Sequence, residues 1–270
     1  TLEGEEGDTG NSYASGDKTD LALPKSQQQL VEALKKVGTP IVLLNMTGSA
    51  MDLSYAKDDK TIKAIIQTWY PGSEGGKAVA DILFGKVSPS GKLPVTFYNS
   101  LEELPDFKDY SMEGRTYRYM KKPAQYPFGY GLTYSKVEVK SAEIVAEENV
   151  KRALNDIATL RNMWLDVKVK LINTGKADTD EVVQIYCKNL ESKYAVKNHS
   201  LYGVKRVNLS AGEEKEVTVR VSGRAFIVFN DKGEEIIDSQ KYILYAGISQ
   251  PDAVSTTLTG TKPIEIGFSI

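Results

Sequence analysis

The sequence predicts an α/β sandwich built on a mostly parallel, incomplete sheet, followed by an all-β sandwich. Across residues 24–85, short apolar strand patterns alternate with one-sided helical ones, as in layered α/β domains. From Trp164 onward, two-residue alternation takes over. Length agrees: 270 residues, at about 150 per domain, make two domains. With 41% apolar residues, each can bury a core of its own. The join is placed at Ser135, giving domains 1–135 and 136–270, and the tail from Lys136 is expected to fold as its own β-domain.

The first helix is expected behind Ser26 as cap, with Leu30, Val31, Leu34 and Val37 on one face and Gly38 as stop ahead of Pro40. Residues 41–46 run apolar without alternation, which predicts a central parallel strand covered on both faces. Residues 64–70 read as the next strand, ended by Pro71-Gly72. Residues 74–84 read as a helix with Ala78, Val79, Ile82 and Leu83 on one face, stopped by Gly85. In the second half, Leu165, Val167, Val169 and Leu171 share a strand face before a turn at Asn173-Thr174-Gly175. Strands follow at residues 182–186, 217–221 and 242–246, with turns at Ala211-Gly212-Glu213 and Asp231-Lys232-Gly233. Such spacing reads as a sandwich of immunoglobulin or fibronectin type III architecture. Residues 147–161 have mixed helical character, read as an insertion in the first sandwich hairpin.

Composition removes several function classes. Lys and Arg number 34 against 36 Asp and Glu, so no basic field exists for a phosphate backbone and no nucleic-acid partner is expected. One cysteine, Cys187, and one histidine, His199, leave no internal disulfide, no Cys/His zinc cluster and little room for Ser-His-Asp catalysis. No cofactor or metal is expected. No apolar run approaches the ~20 residues that span a bilayer, so no membrane partner is expected either. The start, Thr1-Leu2-Glu3-Gly4-Glu5, has no signal-peptide character. Opening without Met in a polar loop, the chain reads as a piece of a longer polypeptide or a processed product. A single free cysteine fits cytoplasm or export, and the cytoplasm is favoured.

The segment Glu3-Gly4-Glu5-Glu6-Gly7-Asp8-Thr9-Gly10-Asn11 sets four carboxylates among three glycines, which makes it a loop. Crowded carboxylates raise one another's pKa, as a general acid near neutral pH requires, and α/β sheets place ligands in loops at the carboxyl ends of their strands. A solvated acidic loop is the plain alternative. A calcium site on Glu5, Glu6, Asp8 and Asn11 is a third, although the alternating spacing and closing Glu of a calcium loop are missing.

Six words then stand in order along the first half. They are Gly16-Asp17-Lys18 with Leu21-Ala22-Leu23-Pro24, Pro40-Ile41-Val42-Leu43-Leu44 with Gly48 and Asp52-Leu53, and Trp69-Tyr70-Pro71-Gly72 with Glu74-Gly75-Gly76. Pro89-Ser90-Gly91-Lys92-Leu93-Pro94-Val95-Thr96-Phe97, Gly114-Arg115-Thr116-Tyr117-Arg118-Tyr119 and Tyr126-Pro127-Phe128-Gly129-Tyr130-Gly131-Leu132-Thr133-Tyr134-Ser135 complete them. In order and spacing they resemble glycoside hydrolase family 3. The remainder is similar to that family's fibronectin type III-like domain through Asn173-Thr174-Gly175, Glu181-Val182-Val183-Gln184-Ile185-Tyr186, Leu201-Tyr202-Gly203-Val204-Lys205-Arg206-Val207 and Ala211-Gly212-Glu213.

The resemblance implies a retaining β-glycosidase acting on oligosaccharides. A barrel domain would supply an Asp nucleophile and the α/β sandwich a Glu acid/base, with the carboxylates about 5 to 5.5 Å apart. No barrel is legible in this chain, so it would hold half of the catalytic pair and be inactive alone. The acid/base Glu is similar in setting to Glu3, with Glu6 as the alternative register. The long loop and the Leu-Glu-Gly-Glu-Glu start look most like bacterial β-xylosidases. β-Glucosidase and α-arabinofuranosidase remain open, as does a non-catalytic module if no barrel partner exists.

Other residues have competing readings. Trp69 could lie on a sugar face, but core or loop support is favoured. Seven of the fifteen tyrosines fall between Tyr98 and Tyr134, and packing is favoured over a sugar platform. Arg115 and Arg118 are expected to bridge domains, Asp52 to cap a strand end, Cys187 to be a buried small hydrophobe and His199 to be exposed. The substrate-binding residues are not identified at this level.

Overall fold

A computed structural model describes residues 20–269. The chain forms two compact units. One takes the described residues up to Lys86 together with Val95–Gly114 and Ala124–Tyr126; the other takes Val87–Pro94, Arg115–Pro123 and the chain from Pro127 onward.

The first unit opens with α1 (Lys25–Val37). Its cap position is Pro24, extended at φ −52° and ψ 142°, whose carbonyl accepts from the Gln27 amide at 2.9 Å. Ser26, expected as the cap, lies inside the first turn. Gly38, at φ 80°, closes the helix, and its amide reaches the Lys35 carbonyl. The strand β1 (Ile41–Asn45) pairs in parallel with β2 (Ile62–Gln67), and the short α2 (Ser54–Lys57) lies between them in sequence. β2 ends three residues short of the expected Tyr70. α3 (Gly75–Leu83) follows, and its first residue is sterically fixed: a Cβ on buried Gly75 would come within 2.5 Å of the Pro71 ring.

The expectation of a mostly parallel sheet is not borne out. Among the described residues the parallel pairing is that of β1 with β2, and the other sheets are antiparallel. The physical reason lies beyond α3, where Pro89, Pro94, Pro105, Pro123 and Pro127 each lack a ladder donor. This stretch forms a 3-10 turn at Leu101–Glu103, the short α4 (Thr116–Tyr119) and an isolated bridge between Phe97 and Tyr126 instead of strands. Nor is β1 covered on both faces, since Val42 is 47% exposed.

The second unit is a β-sandwich. Its elements are β3 (Val137–Ile144), α5 (Glu147–Ala153), α6 (Ile157–Asn162), β4 (Trp164–Asn173), β5 (Thr179–Asn189) and β6 (Ser200–Leu209), followed by β7 (Glu214–Ser222), β8 (Val228–Phe229), β9 (Glu235–Ile236), β10 (Lys241–Gly247), α7 (Ala253–Thr259) and β11 (Ile264–Ser269). One antiparallel sheet runs β11-β10-β5-β6 and the other β3-β4-β7, while β8 and β9 make a small ribbon. α5 and α6 occupy the connection of the β3–β4 hairpin, as expected for residues 147–161, and Asp156 caps α6 by accepting from the Ala158 and Thr159 amides. Leu165, Val167, Val169 and Leu171 of β4 are buried in alternation and meet Val183, Ile185 and Cys187 of β5 and Val219 and Val221 of β7 in one core. Each fully buried aliphatic side chain contributes about 1.5–3 kcal/mol. Phe226 closes the core edge-on against Tyr242 at 5.0 Å and Phe268 at 5.5 Å.

Candidate functional site

Glu3, its alternative Glu6, and the calcium reading on Glu5, Glu6, Asp8 and Asn11 all lie outside the described residues. The describable part of the candidate site is the carboxyl end of β1 and β2, the end at which open α/β sheets take ligands.

There the strands finish on amides instead of apolar side chains. Buried Asn45 donates through Nδ2 to Gln67 Oε1 at 2.5 Å and to Thr47 Oγ1 at 3.1 Å. Gln67 Nε2 in turn donates to the Thr47 carbonyl at 3.1 Å, locking the turn after β1 to the end of β2. Burial makes such bonds costly to leave unmade, so the two strand ends act as one rigid shelf. The Thr68 amide donates to the Asn45 carbonyl at 3.0 Å. Trp69 then turns into the left-handed region at φ 54°, and its half-buried indole meets the fully buried Phe97 ring edge-on at 6.4 Å.

Asp52 serves backbone geometry. Its Oδ1 accepts from the Ser54 amide at 2.8 Å and from Gln125 Nε2 at 3.0 Å, so it organises the entry to α2 and not a strand end. Buried Gln125 also accepts from the Leu53 amide at 2.9 Å. Burial and the Asp52 charge push the Tyr55 hydroxyl up to about 12, so Tyr55 stays protonated. Among the described residues no group of three His, Cys, Asp or Glu side chains could hold a metal ion. Asn45, Thr47, Gln67 and Gln125 were not singled out from sequence. A polar residue closing an otherwise apolar strand, as Asn45 and Gln67 do, is the signal that marks them.

A second cluster lies within the sandwich unit. Lys92 Nζ pairs with Glu181 Oε1 at 2.7 Å, the side chains being 8% and 2% exposed, and also donates to the Gly131 carbonyl at 2.7 Å. Burial pushes the Glu181 carboxyl above its ordinary range, against the pull of the Lys92 ammonium. Gln184 Nε2 donates to the Gly129 carbonyl at 2.9 Å, and the Tyr186 hydroxyl donates to Gln184 Oε1 at 2.6 Å. Tyr117 stacks on Phe128 at 4.3 Å and meets Tyr186 edge-on at 6.1 Å.

His199 was expected to be exposed; it is buried, edge-on to Tyr186 at 5.2 Å, because the aromatic residues around Tyr117 cover it. That desolvation lowers its pKa to about 4. Cys187 is buried as expected, its thiol pushed up to about 12. Arg118 Nε donates to the Tyr117 hydroxyl at 3.4 Å. The tyrosines divide: Tyr117 is packed, whereas Tyr110 is 84% exposed. The structure thus brings Trp69, Asn45 and Gln67 to one strand end and assigns Lys92, Glu181, Tyr117 and His199 to the interior of the sandwich unit.

Residues 2–134 match the glycosyl hydrolase family 3 C-terminal domain, and residues 181–250 match a fibronectin type III-like domain. The chain is 40% identical over 223 residues to a xylan 1,4-β-xylosidase of Xylanibacter ruminicola, covering 82% of this chain and 24% of that protein. It is 30% identical over 252 residues to a periplasmic β-glucosidase of Salmonella typhimurium, covering 88% and 31%. A β-glucosidase structure from Kluyveromyces marxianus superimposes with a TM-score of 0.74 at 26% identity, covering 95% of this chain and 29% of that one. The chain therefore spans about a quarter to a third of the length of these relatives.

Proposed function

Because this chain belongs to glycoside hydrolase family 3, we propose that it is the C-terminal part of a retaining β-glycosidase that releases terminal β-linked sugars from oligosaccharides, xylose first among them. The observation that carries the reading is the match over residues 2–134, a span that includes the acidic, glycine-rich residues 3–11. Glu3 supplies the acid/base, with Glu6 as the alternative, and the Asp nucleophile stands on a barrel domain in the same polypeptide or a second chain. In the first step the nucleophile attacks the anomeric carbon while the Glu3 carboxylic acid protonates the departing glycosidic oxygen. In the second, the Glu3 carboxylate takes a proton from the water that attacks the glycosyl-enzyme. The rigid amide shelf at the carboxyl ends of β1 and β2 supports this use of the α/β unit, since ligands of such sheets sit at that end.

Xylose is supported by the relative named a xylan 1,4-β-xylosidase. Glucose is the second reading, supported by the relative named a periplasmic β-glucosidase, and α-arabinofuranoside hydrolysis is a further alternative. The complete gene product, assayed on nitrophenyl β-xyloside, β-glucoside and α-arabinofuranoside, should be fastest on the xyloside. The 270-residue chain alone should turn over none, because acid catalysis contributes only ~10² to 10⁴ of the rate. Glu3-dependent turnover by the isolated chain would sink the division of the catalytic pair. A complete product inactive on every glycoside would leave the non-catalytic module as the answer.

A further inference from the structure

We propose that Trp69 is a substrate-contacting residue, its indole packing on the apolar C–H face of the sugar; this rests on the family 3 reading above. A positive φ is an outlier for a bulky side chain, and such strain persists where the surroundings over-determine it, most often at ligand sites. Of the non-glycine residues with positive φ, Met112, Thr116 and Ala146 lie in loops or at helix starts, whereas Trp69 follows the carboxyl end of a parallel strand. Both of its flanks are pinned. Thr68 is tied to the Asn45 carbonyl through its amide and, at 3.3 Å, its hydroxyl, and Pro71 is wedged against Gly75. Asn45 is itself fixed by Gln67 and Thr47.

Glycine or asparagine would adopt this backbone at little cost. The chain instead holds a large indole there, only half-buried, with Phe97 against it edge-on and Phe97 in turn braced edge-on by Tyr126 at 6.2 Å. A ring needed only for packing has no reason to be strained and partly open. A braced, partly open aromatic ring at the ligand-binding end of a sheet suits the flat apolar face of a pyranose.

The test uses the complete enzyme carrying this chain, assayed on nitrophenyl β-xyloside and xylobiose, with Trp69→Phe, Trp69→Leu and Trp69→Gly. Trp69→Phe should stay within about threefold of the parent in KM, whereas Trp69→Leu and Trp69→Gly should raise KM by roughly tenfold. Trp69→Gly should melt no lower than Trp69→Leu, because glycine relieves the left-handed backbone while losing the ring. A Trp69→Leu enzyme with parental KM and parental melting temperature overturns the proposal, and so do losses that follow melting temperature alone. Should the leucine variant fail to fold, the tryptophan emission change on saturation with xylose decides: it should be present in the parent and reduced in Trp69→Phe, and equal changes in both overturn the proposal. A parent inactive on every glycoside would fail the family reading instead, a distinct result.

Discussion

Replacing Lys92 with Met should destabilise the sandwich unit by about 3–5 kcal/mol, the cost of stranding one member of a buried ion pair. The side chain is near in size, so the perturbation is the charge. Glu181 would lose its ammonium partner at 2.7 Å while keeping the Val182 amide at 2.7 Å, and at 2% exposure it has no route to water. Such a loss is a large part of the ~5–15 kcal/mol that holds a domain folded. Burial already pushes the Glu181 carboxyl up, and removing Lys92 removes the pull that opposes it. The folded variant then keeps its proton to higher pH than the unfolded chain does, so its stability rises as pH falls through that range. The deficit relative to the parent should be fullest near neutrality and shrink toward the ordinary carboxylate range. Urea unfolding of the 270-residue chain at pH 7 and pH 5, followed by circular dichroism, measures both. The double change Lys92→Met with Glu181→Leu should recover most of the loss, because neither charge is then buried. A single-variant cost below about 1 kcal/mol, the scale of an exposed pair, or a deficit that widens on acidification, would refute the reasoning.

Three further outcomes are expected. In the complete enzyme, Glu3→Gln should slow poor leaving groups most and be rescued by azide in the second step, whereas Glu6→Gln should be milder; the reverse pattern moves the acid/base to Glu6. His199, with its pKa lowered to about 4 by burial, is neutral in the folded chain where the unfolded chain takes up a proton below about 6.5. Stability should therefore fall as pH drops from 6.5 toward 4, and His199→Phe should flatten that slope in urea titrations. Gly129→Ala, at φ 76°, would strain the backbone and drive a Cβ into the side-chain oxygens of Gln184 and Tyr186, so its melting temperature should drop by several degrees, about 2 kcal/mol or more; an unchanged melting temperature would contradict the packing described here.

Periodicity made β4 legible because it buries one face only. β4 alternates without a break from Leu165 to Leu171, and that pattern has one physical reading. β5 was harder, because Gln184 and Tyr186 on the face opposite the core are also buried, covered by Gly129 and Tyr117 from distant sequence. His199 was misread for the same reason: a polar residue in a loop reads as exposed unless the aromatic residues that close over it are known. At the candidate site, Trp69 stood out by type, but its left-handed backbone did not, since dihedral strain leaves no mark on composition. The amide shelf was hidden because Asn45 and Gln67 meet only through the parallel register that sets Asn45 opposite Gln67.

The words around Lys92 and Gly129, read from sequence as part of the α/β layer, have a physical explanation in the other unit. Gly131 leaves no room for a Cβ beside the Gly91 carbonyl, and Lys92 must reach both that turn and Glu181. Ser88 donates or accepts at 2.7 Å with Thr179 of β5 and accepts from the Tyr134 amide at 2.9 Å. Every one of these partners lies in the sandwich unit. Residues 87–94 and 127–135 are thus shaped by what β5 requires: a cation for a buried carboxylate, a carbonyl for Gln184 and a glycine where Tyr186 comes close. A fragment cut at Lys136 would discard all three, leaving Glu181 and Gln184 without the groups that neutralise and bond them, so it should unfold at a lower urea concentration than the sandwich unit of the 270-residue chain, and equal midpoints would show that residues 87–94 and 127–135 are dispensable to it.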